Sequence, residues 1–238
     1  MEVYEQQVFE ELKAWKKSMH AQPSVLGSMA KSIQTGINNM IPEPIHQVFT
    51  TGIKQMTKTV IFGAHLTTLP ATHEESLSAI EQKVRKKIDF YSKTAAAEGA
   101  ITGYGGILLG LTDLPLWLSI KIKLLFEIAN LYGFDVSDYK ERIYLLHIFQ
   151  LTFSRQKQSK AIFKRLQNWE KIKQKMPDDI NQFDWRTFQI EYRDYLDVAK
   201  LLQLIPGFGA IVGFYINHKL TRKLGEFAMN SYRLRLLK

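Results

Sequence analysis

Cysteine is absent from the 238 residues, which excludes disulfides, thiolate-held metals and a thiol nucleophile. Missing too is an uncharged run of the ~18 residues that a membrane-spanning helix needs. The apolar run 201–217 would reach ~25 Å as helix against a ~30 Å hydrocarbon core, and Pro206 interrupts it. The run 99–112 is shorter still. No G-K-[ST] supplies a P-loop, no GxSxG a nucleophile elbow, and no HExxH a zinc site. His20, His46, His65, His73, His147 and His218 are scattered. The segment GFGAIVG (207–213) has GxGxxxG spacing behind Pro206, which departs from the dinucleotide-binding fingerprint. Neither strand alternation nor a hairpin turn is evident, so the class expected is all-α.

What is present is a globular balance, with 45% hydrophobic and 23% charged residues. The net charge of +9 is unevenly placed. Met1 to Asp138 carries 13 Lys and Arg against 14 Asp and Glu, whereas Tyr139 to Lys238 carries 19 against 9. Such a one-sided excess points to a polyanionic partner: nucleic acid, an anionic membrane or an acidic protein. The N-terminus has four acids before Lys13 and no apolar h-region. No signal peptide is therefore expected, and the location expected is cytoplasmic, free or peripheral on the inner face of the cell membrane.

Helical periodicity marks residues 2–20 through Val8, Leu12, Trp15 and Met19, and 26–40 up to the IPEP at 41–44. A weaker helix follows from Pro44 to His65, diluted by Gly52 and Gly63. Thr72 with Glu75 has the form of a capping box before Leu77, Ile80, Val84, Ile88 and Tyr91. A helix apolar almost all round runs from Leu114 to the stop at Gly133, and Asp138 with Glu141 starts the next. A basic amphipathic element spans 155–176, another helix starts near Asp184, and the chain finishes in a basic helix with RLRLLK. One domain, 1–238, is expected: a bundle of about 8–10 helices, with an N-terminal helical portion (1–72) and a glycine-rich core with basic C-terminal helices (73–238).

The segment Ala95–Asp135 organises the rest. Gly99, Gly103, Gly106 and Gly110 are spaced by four, three and four residues, so a helix would place them on one face. Four glycines disfavour that helix unless a second backbone packs against it. Gly209 and Gly213 repeat the small-residue spacing, and the two segments are expected to be partners in a glycine-rich apolar hairpin and its neighbour. Two settings suit it, a tight crossing inside a soluble bundle or a hairpin entering a membrane. Asp113 and Lys121 are charges in an apolar surround, where an unpaired charge is expensive. If the hairpin is buried each needs a partner, Glu98 being one candidate for Lys121, and Asp113 is expected to cap the helix at Leu114. In 155–175, eight Lys and Arg oppose Glu170 alone. Either Ile162, Leu166 and Trp169 pack into a bundle, or Trp169 and Phe163 enter a membrane interface while Lys157, Lys160, Lys164 and Lys171 face anionic lipid. His147, among Leu146, Ile148 and Phe149, is expected to be a core histidine with a backbone partner.

The block EGAITGYGGILLGLTDLPLWLSIKIKLLFEIANLYGFD, followed at a distance by IPGFGAIVGFYINHKLTRKLGEFA, resembles the EcsC family over roughly Glu98–Phe227. These are bacterial proteins, encoded in some genomes beside the ATPase and membrane subunits of an ABC-type transporter. The resemblance implies a cytoplasmic or membrane-peripheral accessory protein without agreed catalytic residues. Together with the charge split it gives the expected function: a non-enzymatic accessory to an ABC-type transporter or secretion process, contacting an anionic membrane surface, transporter subunits or both. No catalytic residue, metal or cofactor is assigned. An enzyme acting on a lipid or peptide at the glycine hairpin, with Asp113 as its acid, is the first alternative. Nucleic-acid binding through the basic C-terminal part is the second, and no recognition motif supports it.

Overall fold

The computed structural model describes residues 3–20, 43–62, 75–103, 114–154, 156–196 and 210–237. Among them are nine α-helices and no strand: α1 (Val3–His20), α2 (Glu43–Phe62), α3 (Leu77–Gly103), α4 (Leu114–Leu131), α5 (Tyr139–Phe153), α6 (Gln156–Gln167), α7 (Trp169–Lys173), α8 (Trp185–Tyr195) and α9 (Ala210–Leu236). A 3₁₀ turn at Ile180–Gln182 and an isolated bridge between Ser154 and Leu196 complete the regular structure. The all-α expectation holds. The expected helix at 26–40 lies outside the described residues.

Local chemistry sets the boundaries. Gly133 has a φ of 79°, and the N–H groups of Gly133 and Phe134 return to the carbonyls of Asn130 and Ala129, ending α4 as a left-handed glycine does. Asp138 accepts from the Lys140 N–H (2.8 Å) and Asp184 from the Thr187 N–H (3.0 Å), starting α5 and α8. Two expected caps differ. Ser76, accepting from the Ala79 N–H at 3.3 Å, starts α3; Glu75 pairs instead with Lys83, and Thr72 lies outside the described residues. Glu141 bonds Arg235 and Lys173 rather than closing a box on Asp138.

The centre is α5, all fifteen residues of which are buried. Two of its polar side chains are satisfied by distant partners: Arg142 donates to the Ile61 carbonyl and Gln150 to the Tyr192 carbonyl. Around it α3 and α9 pair antiparallel, since Arg233 meets Glu81 and Gly225 meets Ile88. The α4 helix runs parallel to α9, with Trp117 bonded to Asn217 and Tyr132 stacked on Tyr232. Residues 77–103 and 114–131 are thus antiparallel neighbours, and the glycine-rich chain that joins them, 104–113, lies outside the described residues. Gly106, Gly110, Gly209 and Asp113 lie outside the described residues. Gly99 and Gly103 are in the last turns of α3 and Gly213 in the first turn of α9. Gly52 admits the Leu114 side chain, which a Cβ there would approach to 2.7 Å.

Candidate functional site

A polar cluster lies where α3 ends and α4 and α9 begin. On α4, Trp117 and Lys121 are four residues apart and share a face, as do Asn217 and Thr221 on α9. The Trp117 Nε1 donates to Asn217 Oδ1 at 2.5 Å. Lys121 is fully buried, its Nζ 3.9 Å from the centroid of the Trp117 ring. The parallel register of α4 and α9 sets Thr221 level with Lys121. Among the described residues, Lys121 Nζ, Asn217 Nδ2 and Thr221 Oγ1 have no hydrogen-bond partner.

Burial drives the Lys121 amine down to about 7, and the nearby Glu98 carboxylate offsets part of that shift. The expected Lys121–Glu98 relationship is therefore present as a charge interaction. A lysine divided between charged and neutral forms near neutral pH has the chemistry of a base or an amine nucleophile. It has no exposed surface, and the Trp117 ring lies against its amine.

Two further ionic clusters occupy the opposite end. Arg233 donates from Nε and Nη2 to Glu81 (2.6 and 2.5 Å) and from Nη1 to Glu11 (3.0 Å). Tyr4 and Tyr132 donate to the same Glu81 carboxylate. Burial pushes Glu81 up, but the hydrogen bonds from Arg233 and Tyr4 outweigh it and hold the group below the usual range. Arg235 grips Glu141 bidentately (2.5 and 2.9 Å), reaches Glu170 at 2.8 Å and lies 3.9 Å over the Phe134 ring. The arginines of the C-terminal RLRLLK are thus internal ties, not a basic surface.

The amphipathic element 155–176 divides into α6 and α7 at Asn168. Ile162, Phe163, Leu166 and Trp169 are buried, Trp169 against Tyr144 at 5.2 Å and Phe163 against Trp15 at 5.3 Å. This corrects the interfacial placement of Trp169 and Phe163: both rings belong to the core. Lys160, Lys164, Lys171 and Lys175 are exposed, and among the described residues no carboxylate lies within 4.0 Å of them. Glu170 is held by Arg235. Lys157 is in the first turn of α6, its side chain outside the described residues.

His147 is a core residue, but its ring contacts the Gln150 side chain at 3.2 Å rather than a backbone group. Burial lowers it to about 4, so it is neutral at physiological pH. Sequence reasoning overlooked Trp117, Asn217 and Thr221. The one signal for Asn217 and Thr221 was their spacing of four inside INHKLT, on the turns following a glycine-rich segment.

No described helix is long and apolar enough to cross a membrane. The EcsC protein family matches residues 6–237. Protein EcsC of Bacillus subtilis (strain 168) is 44% identical over 234 residues, 98% of this chain and 96% of that protein. A second relative from the same organism, named uncharacterized protein YdbA, is 28% identical over 144 residues, covering 60% of this chain and 53% of its own length. No solved structure matches the chain. A family match over nearly the whole length, beside a relative this similar, places the chain in the EcsC protein family.

Proposed function

We propose that the protein is a non-enzymatic, membrane-peripheral accessory of an ABC-type transporter or related secretion process, held reversibly at an anionic membrane surface. The supporting observation is the compensation pattern of the basic C-terminal part. Arg165, Lys173, Arg233 and Arg235 are neutralised within the fold by Glu191, Asp138, Glu81 and Glu141. Lys160, Lys164, Lys171 and Lys175 project from α6 and the turns after it without such partners. Lysines near an anionic surface contribute about 1 kcal/mol each, enough together for a salt-sensitive contact. The transporter link rests on the EcsC family resemblance.

Vesicle flotation tests the attachment. The protein is expected to float with vesicles containing phosphatidylglycerol and to be released as salt rises toward the molar range. Equal flotation with neutral vesicles in high salt, or none with anionic ones, refutes it. The enzyme alternative has one observation in its favour, the lowered amine of Lys121, and against it the absence of any exposed surface on that residue.

A further inference from the structure

The fold sets the N-terminal helix beside the basic helix α6. Trp15 of α1 meets Phe163 of α6 and Phe227 of α9 edge-on, and His20 meets Phe163 at 5.4 Å. On the other flank of α1, Tyr4 reaches Glu81 of α3, and Glu11 reaches Arg233. These contacts orient the helix. At 100° per residue, Phe9, Lys13 and Lys16 fall with His20 on the flank turned to α6. On α6, Lys160 and Lys164 lie within about 100° of Phe163, on the side turned to α1. Arg165 faces the other way, to Glu191 of α8.

The register carries the pattern further. Glu11 with Arg233 and Trp15 with Phe227 make α1 antiparallel to α9, while Phe163 and then Glu170 advance along α9 toward Arg235. The chain of α6 and α7 therefore runs back along α1, and Lys164 and Lys171 follow Lys13 and Phe9. Phe9 is 45% exposed, and Lys13, Lys160, Lys164 and Lys171 are exposed around the same two-helix face.

Few acids offset these cations. Glu10 approaches Lys13 at 3.8 Å, but that pair is 65% and 71% exposed, where an ion pair contributes little. Glu11 is held by Arg233, Glu170 by Arg235 and Glu191 by Arg165, and Glu5 is itself engaged. The outer face of α3 makes the contrast. Phe90 there is 60% exposed, yet Lys83, Lys87 and Lys93 around it are paired with Glu75, Glu127 and Asp89 at 2.5–2.8 Å. An exposed ring among uncompensated lysines suits an anionic phospholipid surface, where the ring enters the interface and the lysines reach the phosphates.

We propose that α1 and α6 together form the attachment face, lying side-on to an anionic phospholipid bilayer. Phe9 enters the interface, and Lys13 and Lys16 join Lys160, Lys164 and Lys171 on the phosphates. The proposal rests on the membrane attachment above and adds the N-terminal helix, drawn from the part of the sequence without a basic excess.

The lack of native cysteine makes the face directly readable. Phe9→Cys and Phe90→Cys each carry one apolar, environment-sensitive fluorophore in place of the ring, and vesicles of phosphatidylcholine with about a third phosphatidylglycerol are added. The label at 9 is expected to shift to the blue while that at 90 stays unchanged. Lys13→Gln with Lys16→Gln, and separately Lys160→Gln with Lys164→Gln, are each expected to weaken flotation roughly tenfold or more. The melting midpoint should stay in place; if the α1 pair moves it, the labels at 9 and 90 decide. A loss from the α6 pair without one from the α1 pair, or equal responses at 9 and 90, overturns the shared face and leaves the attachment intact. Failure of the unsubstituted protein to float overturns both.

Discussion

Gly225 on α9 lies so close to Ile88 on α3 that a Cβ on the glycine would sit 2.4 Å from Ile88 Cγ1. The antiparallel pair of α3 and α9 is thus keyed by a glycine well away from the glycine-rich segments. Ile88 Cγ1 is near the root of a branched side chain, so it cannot swing aside without moving the helix.

Gly225→Ala should therefore destabilise the protein by roughly 1–3 kcal/mol, although alanine is the better helix former by about 1 kcal/mol. In the background of Ile88→Ala, where the obstructing atoms are gone, the same substitution should be neutral or stabilising. Denaturant midpoints for the two singles and the double decide this; additive losses refute a steric key.

Breaking the Glu81–Arg233 pair should be costly. Arg233→Met leaves a buried carboxylate with only the half-exposed Arg85, 3.6 Å away, a loss of up to roughly 3–5 kcal/mol, whereas Glu81→Leu with Arg233→Met should recover most of it. Glu81 is held below its unfolded value. Its contribution is thus fully present above that value and lost as pH falls through the folded one. The single variant should have a shallower acid limb than the parent in urea titrations at pH 2 to 5.

Lys121 has the opposite dependence. Its folded value, about 7, lies below the unfolded 10.5, so the unfolded chain binds more protons between these limits. Stability should rise with pH across that window, by at most about 1.4 kcal/mol per unit. Lys121→Met should remove the rise, lie above the parent at pH 6, and retain cellular function. Loss of function in a normally folded Lys121→Met protein would favour the enzyme alternative over an accessory role.

Trp117→Phe keeps the ring against Phe153 but removes the donor to Asn217. An unmet buried acceptor costs about 1–3 kcal/mol. Adding Asn217→Leu should return part of this, and a double-mutant cycle by thermal melting measures the coupling.

Legibility followed distance along the chain. Gly133, Asp138 and Asp184 act through neighbours within a few residues, and the sequence shows their caps. The inward stripe of Ile162 and Leu166 is equally plain, but periodicity cannot say whether a stripe faces a core or a lipid, which is why Trp169 was open to both. The total burial of α5 was hidden for a related reason. Arg142, Glu141 and Gln150 look like surface until Ile61, Arg235 and Tyr192 supply their partners. The arginines of RLRLLK misled in the same way. Glu98 was one candidate for Lys121 because an isolated charge in an apolar helix calls for a counter-charge nearby, and the structure keeps that relationship as a charge interaction without a hydrogen bond to Lys121 Nζ.

The ion pairs of the lower bundle also impose an order on biosynthesis. Glu81 and Glu141 precede their arginines by 152 and 94 residues. A nascent chain on the ribosome holds both carboxylates before Arg233 and Arg235 emerge, and until then only Arg85, 3.6 Å from Glu81, and Lys173, 2.6 Å from Glu141, offset the cost of burying them. Full native closure of α3 and α5 is favoured only once α9 has been synthesised. The exposed apolar faces of the waiting helices then define an interval in which a chaperone has something to hold.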